Sequence, residues 1–173
     1  MLKTEMLYGF SENTLDPNGR VIIPRKMRMQ LGEPFYMARG YEKCVRIFTE
    51  DTLHAIKAYA DQLGTPLSVL FDPDALRVYR QVFSHVDETK TDGQGRVLIP
   101  PRLREYAEIK DNVVLVGTGN WIEIWNPENW KEYEERELTE EKLTGAGGNI
   151  FKDPSAVIRS GGDAGVSQTG PAE

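Results

Sequence analysis

A basic phrase of thirteen residues occurs twice in this chain, and the duplication constrains the fold more than any other feature. DPNGRVIIPRKMR occupies residues 16–28, and DGQGRVLIPPRLR occupies residues 92–104. A further match follows each phrase, because CVRIFTEDTL at 44–53 resembles WIEIWNPENW at 121–130 in its alternating strand and helix start. Two units of about 45 residues are too few for a solenoid, which stacks three or more repeats. We therefore interpret the chain as an internal duplication.

Both copies predict the same order of secondary-structure elements. DPNG and DGQG are typical of tight turns, because Asp accepts backbone N–H bonds two residues on and Gly tolerates positive φ. A short extended segment over residues 13–15 leads into the first turn, RVIIP and RVLIP are strand-like, and each proline begins a short helix. A two-stranded hairpin then follows in each copy, and two linker helices, with candidate N-caps at Thr49 and Asp72, separate the copies. The sequence predicts an α+β fold with a mainly β core.

The duplication also sets the predicted domain boundaries. We expect a first domain over 8–55, a helical linker over 56–84, a second domain over 85–130, a charged helix over 131–144 and a disordered tail over 145–173. The tail is rich in Gly and small polar residues, which bury too little apolar surface to offset the entropy of ordering. Strands this short are unstable alone. The copies should therefore complete one another about a pseudo-two-fold axis, with Val21, Ile23, Val97 and Ile99 in a shared core.

The composition argues against several other classes of protein. Cys44 is the one cysteine of the chain, so no disulfide framework is expected and the cytoplasm is the predicted compartment. No apolar run approaches the roughly 18 residues of a membrane span, and the start MLKTEMLYGF is unlike a signal peptide. His54 and His85 have no partners at metal-ligand spacing, and GTGNWI is a hairpin turn. We expect no metal, no cofactor, no small-molecule ligand and no enzymatic activity.

The cations of the repeated phrase indicate an anionic partner. The net charge of −6 argues against nucleic acid, but the repeated phrases are local basic islands. Turn chemistry accounts for Asp16, Gly19, Asp92 and Gly95, yet it requires no cation beside them. Cations at the start of a helix oppose its dipole, so an external phosphate is indicated. The candidate DNA-binding residues are Arg20, Arg25, Lys26, Arg28, Arg96, Arg102 and Arg104.

The doubled order of Asp, Gly-Arg, three hydrophobic residues, Pro and Arg resembles the MraZ family of bacterial proteins. The resemblance extends over about residues 5–143 and includes RGYEKCVRIF, FDPDALRVYRQVF and VVLVGTGNWIEIWNPENWKEY. It implies tandem AbrB-like (SpoVT-type) domains, each a swapped-hairpin β-barrel. It further implies a transcriptional regulator that binds double-stranded DNA at tandem direct repeats upstream of the division and cell-wall gene cluster, beginning with its own gene. A homo-oligomeric ring, association with the nucleoid and DNA contacts centred on Arg20 and Arg96 are implied as well.

This sequence departs from an equal duplication, and two other readings stay open. Pro101 stands where the first copy has Arg25, so the first copy should contribute more to binding. The first alternative is an antitoxin-type interaction module, although such proteins usually have a single short domain. The second is an enzyme with Asp–Arg pairs at a subunit interface, which needs a deep pocket with perturbed carboxylates. One protomer offers few phosphate-reaching cations, so we expect an oligomer larger than a dimer.

Overall fold

The computed structural model describes residues 6–62, 71–139 and 142, which form eight strands and five helices. In chain order the elements are β1 (Leu7–Thr14), β2 (Arg20–Ile22), α1 (Arg25–Leu31), β3 (Phe35–Arg39), β4 (Val45–Phe48), α2 (Glu50–Gln62), α3 (Pro73–Phe83), β5 (Asp87–Thr89), β6 (Arg96–Leu98), α4 (Pro101–Tyr106), β7 (Asn112–Gly119), β8 (Trp121–Trp125) and α5 (Pro127–Glu137). No helix within these described ranges is long and apolar enough to cross a membrane.

Local sequence sets where the helices begin and end. Thr49 Oγ1 accepts a bond from Thr52 N at 3.2 Å, and Asp72 Oδ1 accepts one from Asp74 N at 2.9 Å, as expected for N-caps. Helix α1 ends at Gly32, which has a φ of 68° that most other residues disfavour. These start and stop signals could be read directly from the sequence.

The main sheet interleaves strands of the two copies. Its order is β1-β7-β8-β4-β3-β5, and all neighbours are antiparallel. Strand β1 of the first copy pairs with β7 of the second, from Leu7 opposite Gly119 to Thr14 opposite Asn112. Strand β5 of the second copy pairs in turn with β3 of the first. Each copy's first strand therefore extends the hairpin of the other copy.

The strand register gives the pseudo-two-fold symmetry that the duplication predicts. Strands β2 and β6 form a separate antiparallel ribbon in which Val21 lies opposite Val97. In the main sheet, Arg46 lies opposite Glu123. In both pairs, the two residues occupy equivalent positions in the two copies of the repeat. A pseudo-two-fold axis therefore passes through the centre of the ribbon and the centre of the sheet.

The two copies share one hydrophobic core. Val21, Ile23, Val97 and Ile99 are fully buried and belong to the same cluster as residues of the sheet and of helices α1 and α4. Backbone hydrogen bonds also join the two copies at this point, because Ile23 N donates to Gly95 O and Ile99 N donates to Gly19 O, each at 3.1 Å. Each buried aliphatic side chain contributes roughly 1.5–3 kcal/mol. The core therefore depends on both copies being present.

The α+β class and the mainly antiparallel β core are confirmed. The AbrB-like swapped-hairpin barrel and the domain boundaries stay predictions. Strand β1 is longer than the short extended segment expected at 13–15, because β7 offers it a partner along its whole length. The charged helix starts at Pro127 and ends at Glu137, and Asn126 Oδ1 caps it by accepting a bond from Glu128 N at 2.8 Å. The predicted tail over 145–173 lies outside the described residues.

The chain divides into two compact units, Met1–Trp130 and Lys131–Glu173. The first unit contains both copies of the repeat and both sheets. The described part of the second unit is strongly charged, with Lys131 3.9 Å from Glu135 and Arg136 2.8 Å from Glu137. The candidate interface lies in the first unit.

Candidate nucleic-acid interface

The two turns that precede the ribbon have the same hydrogen bonds. Asp16 Oδ1 accepts bonds from the backbone N–H groups of Asn18 and Arg20, both at 2.9 Å. Asp92 Oδ1 accepts from Gln94 N at 2.9 Å and from Arg96 N at 3.0 Å. Gly19 and Gly95 follow with φ of 78° and 75°. Each aspartate thus orders the turn and sets the position of the arginine that begins the strand.

The arginines and aspartates of the two turns form one charge cluster across the pseudo-two-fold axis. Arg96 Nε donates to Asp92 Oδ2 at 2.9 Å, and Arg96 Nη1 donates to Asp16 Oδ2 at 3.4 Å. Arg20 Nη1 lies 3.9 Å from Asp92 Oδ2. The Arg20 guanidinium thus faces the turn of the opposite copy, whereas the backbone N–H of Arg20 donates to Asp16 in its own turn. Arg96 is therefore held by two carboxylates and Arg20 by one.

Hydrogen bonding favours the charged form of the Asp92 carboxylate in this cluster. The pKa of Asp92 is lowered, chiefly by the bond from the backbone N–H of Arg96. Desolvation opposes this effect, and the bonds from the Arg96 side chain and from Gln94 N lower the pKa further. A guanidinium has five N–H donors in a planar fork. The Arg20 side chain is 40% exposed. It therefore retains donors that can face a ligand while one edge points to Asp92.

The ribbon has a buried face and an exposed face. Val21 and Val97 point into the core, so the flanking residues of each strand point the other way. On that outward side Arg20 lies opposite Leu98, and Ile22 lies opposite Arg96. We call these four residues the ribbon face. A two-stranded β-ribbon has the width that the major groove of B-DNA admits.

Arg28 and Arg104 lie against the turns instead of on the ribbon face. A Cβ placed on Gly95 would be 2.4 Å from Cζ of Arg28, and one on Gly19 would be 2.5 Å from Cζ of Arg104. The Nε atoms of both arginines are buried and have no hydrogen-bond partner among the described residues. Each guanidinium thus packs on the glycine of the other copy's turn. Their place in the structure is that of turn supports, which the sequence pattern did not indicate.

The three remaining cations lie at the starts of the short helices and differ between the copies. Arg25 and Lys26 are exposed at the start of α1, and Lys26 Nζ lies 3.8 Å from the centre of the Tyr8 ring. Arg102, in the first turn of α4, donates from Nη2 to Asp87 Oδ2 at 2.7 Å. Neither helix has an acidic residue in its first turn. The end formed by the first copy therefore has more uncompensated positive charge.

Sequence reasoning missed the two aliphatic residues of the ribbon face. Ile22 and Leu98 are 52% and 45% exposed, whereas their neighbours along the strand are fully buried. The run Val21–Ile23 is apolar throughout, so its composition cannot show which side faces out. The signal lay in the period of two, which places Ile22 on the side of Arg20 once the valine is assigned to the core.

A second concave surface bears on the enzyme alternative. A groove of about 1080 Å³ lies between the sheet and helices α2 and α3, and its described lining includes Arg39, Arg46, Arg77 and Arg80 but no Asp or Glu. The shifted pKa values of described carboxyl groups are all lowered by hydrogen bonds or cations; these groups are Glu33, Asp61, Asp92, Glu108 and Glu137. A general acid at neutral pH needs a raised pKa. This groove therefore does not fit the pocket that the enzyme alternative requires.

Comparison with known proteins gives a consistent result. The model of the family described as "MraZ protein, putative antitoxin-like" matches residues 6–68 and 82–146. A protein of Thermoanaerobacter sp. (strain X514) is 39% identical over 128 residues, which is 74% of this chain and 86% of that protein. One of Symbiobacterium thermophilum is 38% identical over 73% of this chain and 88% of that protein. One of Dictyoglomus thermophilum is 36% identical over 76% and 87%. All three are named "Transcriptional regulator MraZ".

Proposed function

We propose that this chain, which belongs to the MraZ family of transcriptional regulators, binds double-stranded DNA through its ribbon face. Transcriptional regulation is a non-enzymatic role. The observation that carries the proposal is the register of the ribbon, which pairs Val21 with Val97 and so brings the arginines of both copies to one exposed surface. A single copy could not present that surface, because each of its strands is completed by the other copy.

The cations have different roles in this proposal. Arg20 and Arg96 face the major groove, where a guanidinium can donate two bonds to guanine O6 and N7. Arg25, Lys26 and Arg102 flank the ribbon and contact phosphates, which position the protein without reading sequence. Arg28 and Arg104 act indirectly, by holding the turns that set the ribbon arginines.

One protomer has too few cations for tight binding at physiological salt. Each neutralised phosphate contributes a slope of about −0.9 in log K against log salt, and this term carries much of the affinity. Several protomers that engage several sites at once would multiply weak contacts through effective concentration. We therefore propose a homo-oligomer larger than a dimer, arranged as a ring, that binds tandem sites spaced by about one helical turn.

The unequal ends of the binding unit favour direct repeats over inverted ones. Arg25 of the first copy aligns with Pro101 of the second, and Arg102 is paired with Asp87 whereas Arg25 is exposed. A protomer bound to DNA therefore has a direction. Protomers that follow one another around a ring keep that direction, so each reads the same sequence in the same orientation.

The resemblance to the family supplies the rest of the proposal. The sites lie upstream of the division and cell-wall gene cluster, beginning with the gene of this protein itself. A protein with this role acts in the cytoplasm, in association with the nucleoid. The division into five predicted segments, from 8–55 to 145–173, belongs to this proposal as well.

Binding to DNA fragments with one, two and three copies of the repeat tests the proposal. The fragments come from the region upstream of the protein's own gene, and light scattering measures subunit number in parallel. Affinity should rise steeply with repeat number, and Arg20→Ala should lower it while Arg77→Ala, a change of an exposed arginine on α3, should not. Equal affinity for one and three repeats, or tight binding by a monomer, would overturn the mechanism.

The antitoxin alternative keeps one supporting observation, the words "antitoxin-like" in the family description. An antitoxin would neutralise a toxin by wrapping it with an extended segment. A toxin reading frame next to the gene, and a stable complex of the two purified proteins, would favour that function. The fusion of two copies around a single ribbon face favours DNA binding instead.

A further inference from the structure

Two exposed aliphatic side chains lie on the surface that carries the ribbon arginines. Ile22 is 52% exposed and Leu98 is 45% exposed, although both belong to strands whose other apolar residues are fully buried. Burial of an exposed aliphatic side chain is favourable, so each of them would gain from a ligand that offers an apolar group. The inference below rests on the proposed function of the ribbon face.

The register fixes how the four side chains of the ribbon face are arranged. Arg20 lies directly opposite Leu98, and Ile22 lies directly opposite Arg96. Each arginine thus has an aliphatic residue across the ribbon and another two positions along its own strand. Residues two apart on a strand are separated by about 6.6 Å, close to the roughly 6.8 Å between bases two steps apart in B-DNA. The face can therefore contact bases with an arginine and an aliphatic side chain in alternation.

We propose that Ile22 and Leu98 each contact the C5-methyl group of a thymine in the major groove, and so help to determine which sequence the protein binds. The thymine methyl is the apolar group that the major-groove edges of the bases present. Cytosine has only a hydrogen at C5, so it offers an aliphatic side chain no methyl group to contact. Thymine is therefore favoured over cytosine at both positions.

A second copy of this chain is the other candidate to cover the two residues. The ribbon face favours DNA, because the arginines beside Ile22 and Leu98 keep exposed donors that suit base edges and phosphates. An isologous interface, in which the same face of two copies meets, would bring their ribbon arginines together. That like-charge contact is unfavourable unless further carboxylates compensate it.

Substitution of deoxyuridine for thymidine tests the inference, because it removes the methyl group and leaves base pairing unchanged. The probe is a duplex selected from a random pool by the wild-type protein and resynthesised with deoxyuridine at one thymine at a time. Wild-type protein should lose roughly 3- to 5-fold in affinity at each contacted thymine, as expected for one methyl group. Ile22→Ala should bind the thymine duplex more weakly and be insensitive to deoxyuridine at one of these positions. Leu98→Ala should be insensitive at a different one.

Two further variants separate specificity from folding. Ile22→Val keeps the β-branched shape of the side chain and should retain part of the methyl sensitivity. Val78→Ala changes an exposed aliphatic residue of α3, which is 39% exposed, and should leave both affinity and sensitivity unchanged. Melting temperatures confirm that each variant is folded before binding is compared.

The outcomes distinguish this inference from the proposed function. Equal binding of thymine and deoxyuridine duplexes at every position would overturn the inference and leave the DNA-binding function intact. Failure of wild-type protein to select any duplex would overturn the proposed function itself. A change in subunit number in Ile22→Ala, with unchanged methyl sensitivity, would assign the two residues to an interface between copies and also overturn the inference.

Discussion

Replacement of Arg20 and Arg96 by alanine should separate DNA binding from stability, because the structure holds the two arginines differently. Arg20 approaches one carboxylate, at 3.9 Å, and its side chain is 40% exposed. An exposed pair of this kind contributes about 0–1 kcal/mol. Arg96 donates to two carboxylates, at 2.9 and 3.4 Å, and its side chain is 28% exposed. Hydrogen bonds that involve charged groups contribute roughly 1.5–3 kcal/mol.

These magnitudes give distinct expectations for the two variants. In a chain of this size, 1 kcal/mol shifts the melting temperature by about 2–4 °C. Arg20→Ala should therefore lower the melting temperature by at most about 4 °C, and Arg96→Ala by roughly twice as much. Loss of a base contact weakens binding by about 1–3 kcal/mol, and loss of a phosphate contact reduces the salt slope by about 0.9. Arg20→Ala should thus bind DNA weakly while it remains nearly as stable as wild type.

Circular dichroism melting and fluorescence anisotropy over a series of salt concentrations measure both effects on the same samples. Arg77→Ala is the matched control, since Arg77 forms an exposed ion pair with Asp74 at 3.0 Å on the linker helix α3. It should change neither the melting temperature nor the affinity by much. The reasoning fails if folded Arg20→Ala binds DNA as wild type does. It fails equally if Arg20→Ala is destabilised more than Arg96→Ala.

Three further predictions follow from the turns and from the buried thiol. Gly19→Ala should destabilise the fold by roughly 1–3 kcal/mol, because φ is 78° and a Cβ would meet the Arg104 guanidinium. The control Gly93→Ala has open space around it and should change the free energy of unfolding by no more than about 0.5 kcal/mol, as measured for both variants by chemical denaturation. The pKa of Asp92 is lowered in the folded state, so its contribution to stability is complete above the ordinary Asp value of about 4 and is lost as pH falls through the lowered pKa; acid titration of Asp92→Asn should lack that component. Burial raises the pKa of the Cys44 thiol to about 12, so alkylation at pH 8 should be negligible until denaturant is added.

Much of the fold could be predicted from the sequence because the relevant signals are local. The turn tetrapeptides, the proline after each strand and the N-caps at Thr49 and Asp72 each depend on a few adjacent residues. The duplication then supplied the one long-range fact, that equivalent strands meet about an axis. The length of β1 was missed for the opposite reason. Its extent from Leu7 to Thr14 depends on the partner strand β7, which lies about a hundred residues away in the chain.

The candidate site was predicted less completely, because charge alone does not show what a side chain contacts. The pattern grouped Arg28 and Arg104 with the other cations, whereas the structure packs both against glycines of the opposite turn. Arg102 has a carboxylate partner that the pattern did not show, Asp87 on strand β5. The contacts of Arg28 and Arg104 come from the interleaving of the two copies, whereas Arg102 and Asp87 belong to the same copy. No pattern within one copy can therefore distinguish a supporting arginine from an exposed one.

Fusion of the two copies in one chain explains a feature that a symmetric dimer could not have. On a true two-fold axis each residue meets itself, which an apolar residue tolerates and a charged residue does not. At the ribbon, Val21 meets Val97, and the pair would be unchanged in a dimer. At the centre of the main sheet, Arg46 lies opposite Glu123, and Arg46 Nε donates to Glu123 Oε1 at 3.3 Å. The Glu123 side chain is 12% exposed.

A symmetric dimer of either copy would place two like charges opposite one another at the centre of that sheet. Like charges directly opposite one another on neighbouring strands are destabilising. The Glu123 carboxylate also accepts bonds from Trp121 Nε1 and Trp125 Nε1, each at 3.0 Å. Both tryptophans lie on strand β8 with Glu123, so this strand satisfies its own acidic residue. The two copies are therefore complementary and no longer interchangeable. The divergence of the two copies also leaves the ribbon with one end richer in exposed cations. Under the proposed function, these unequal ends would orient the protein in a single direction on DNA.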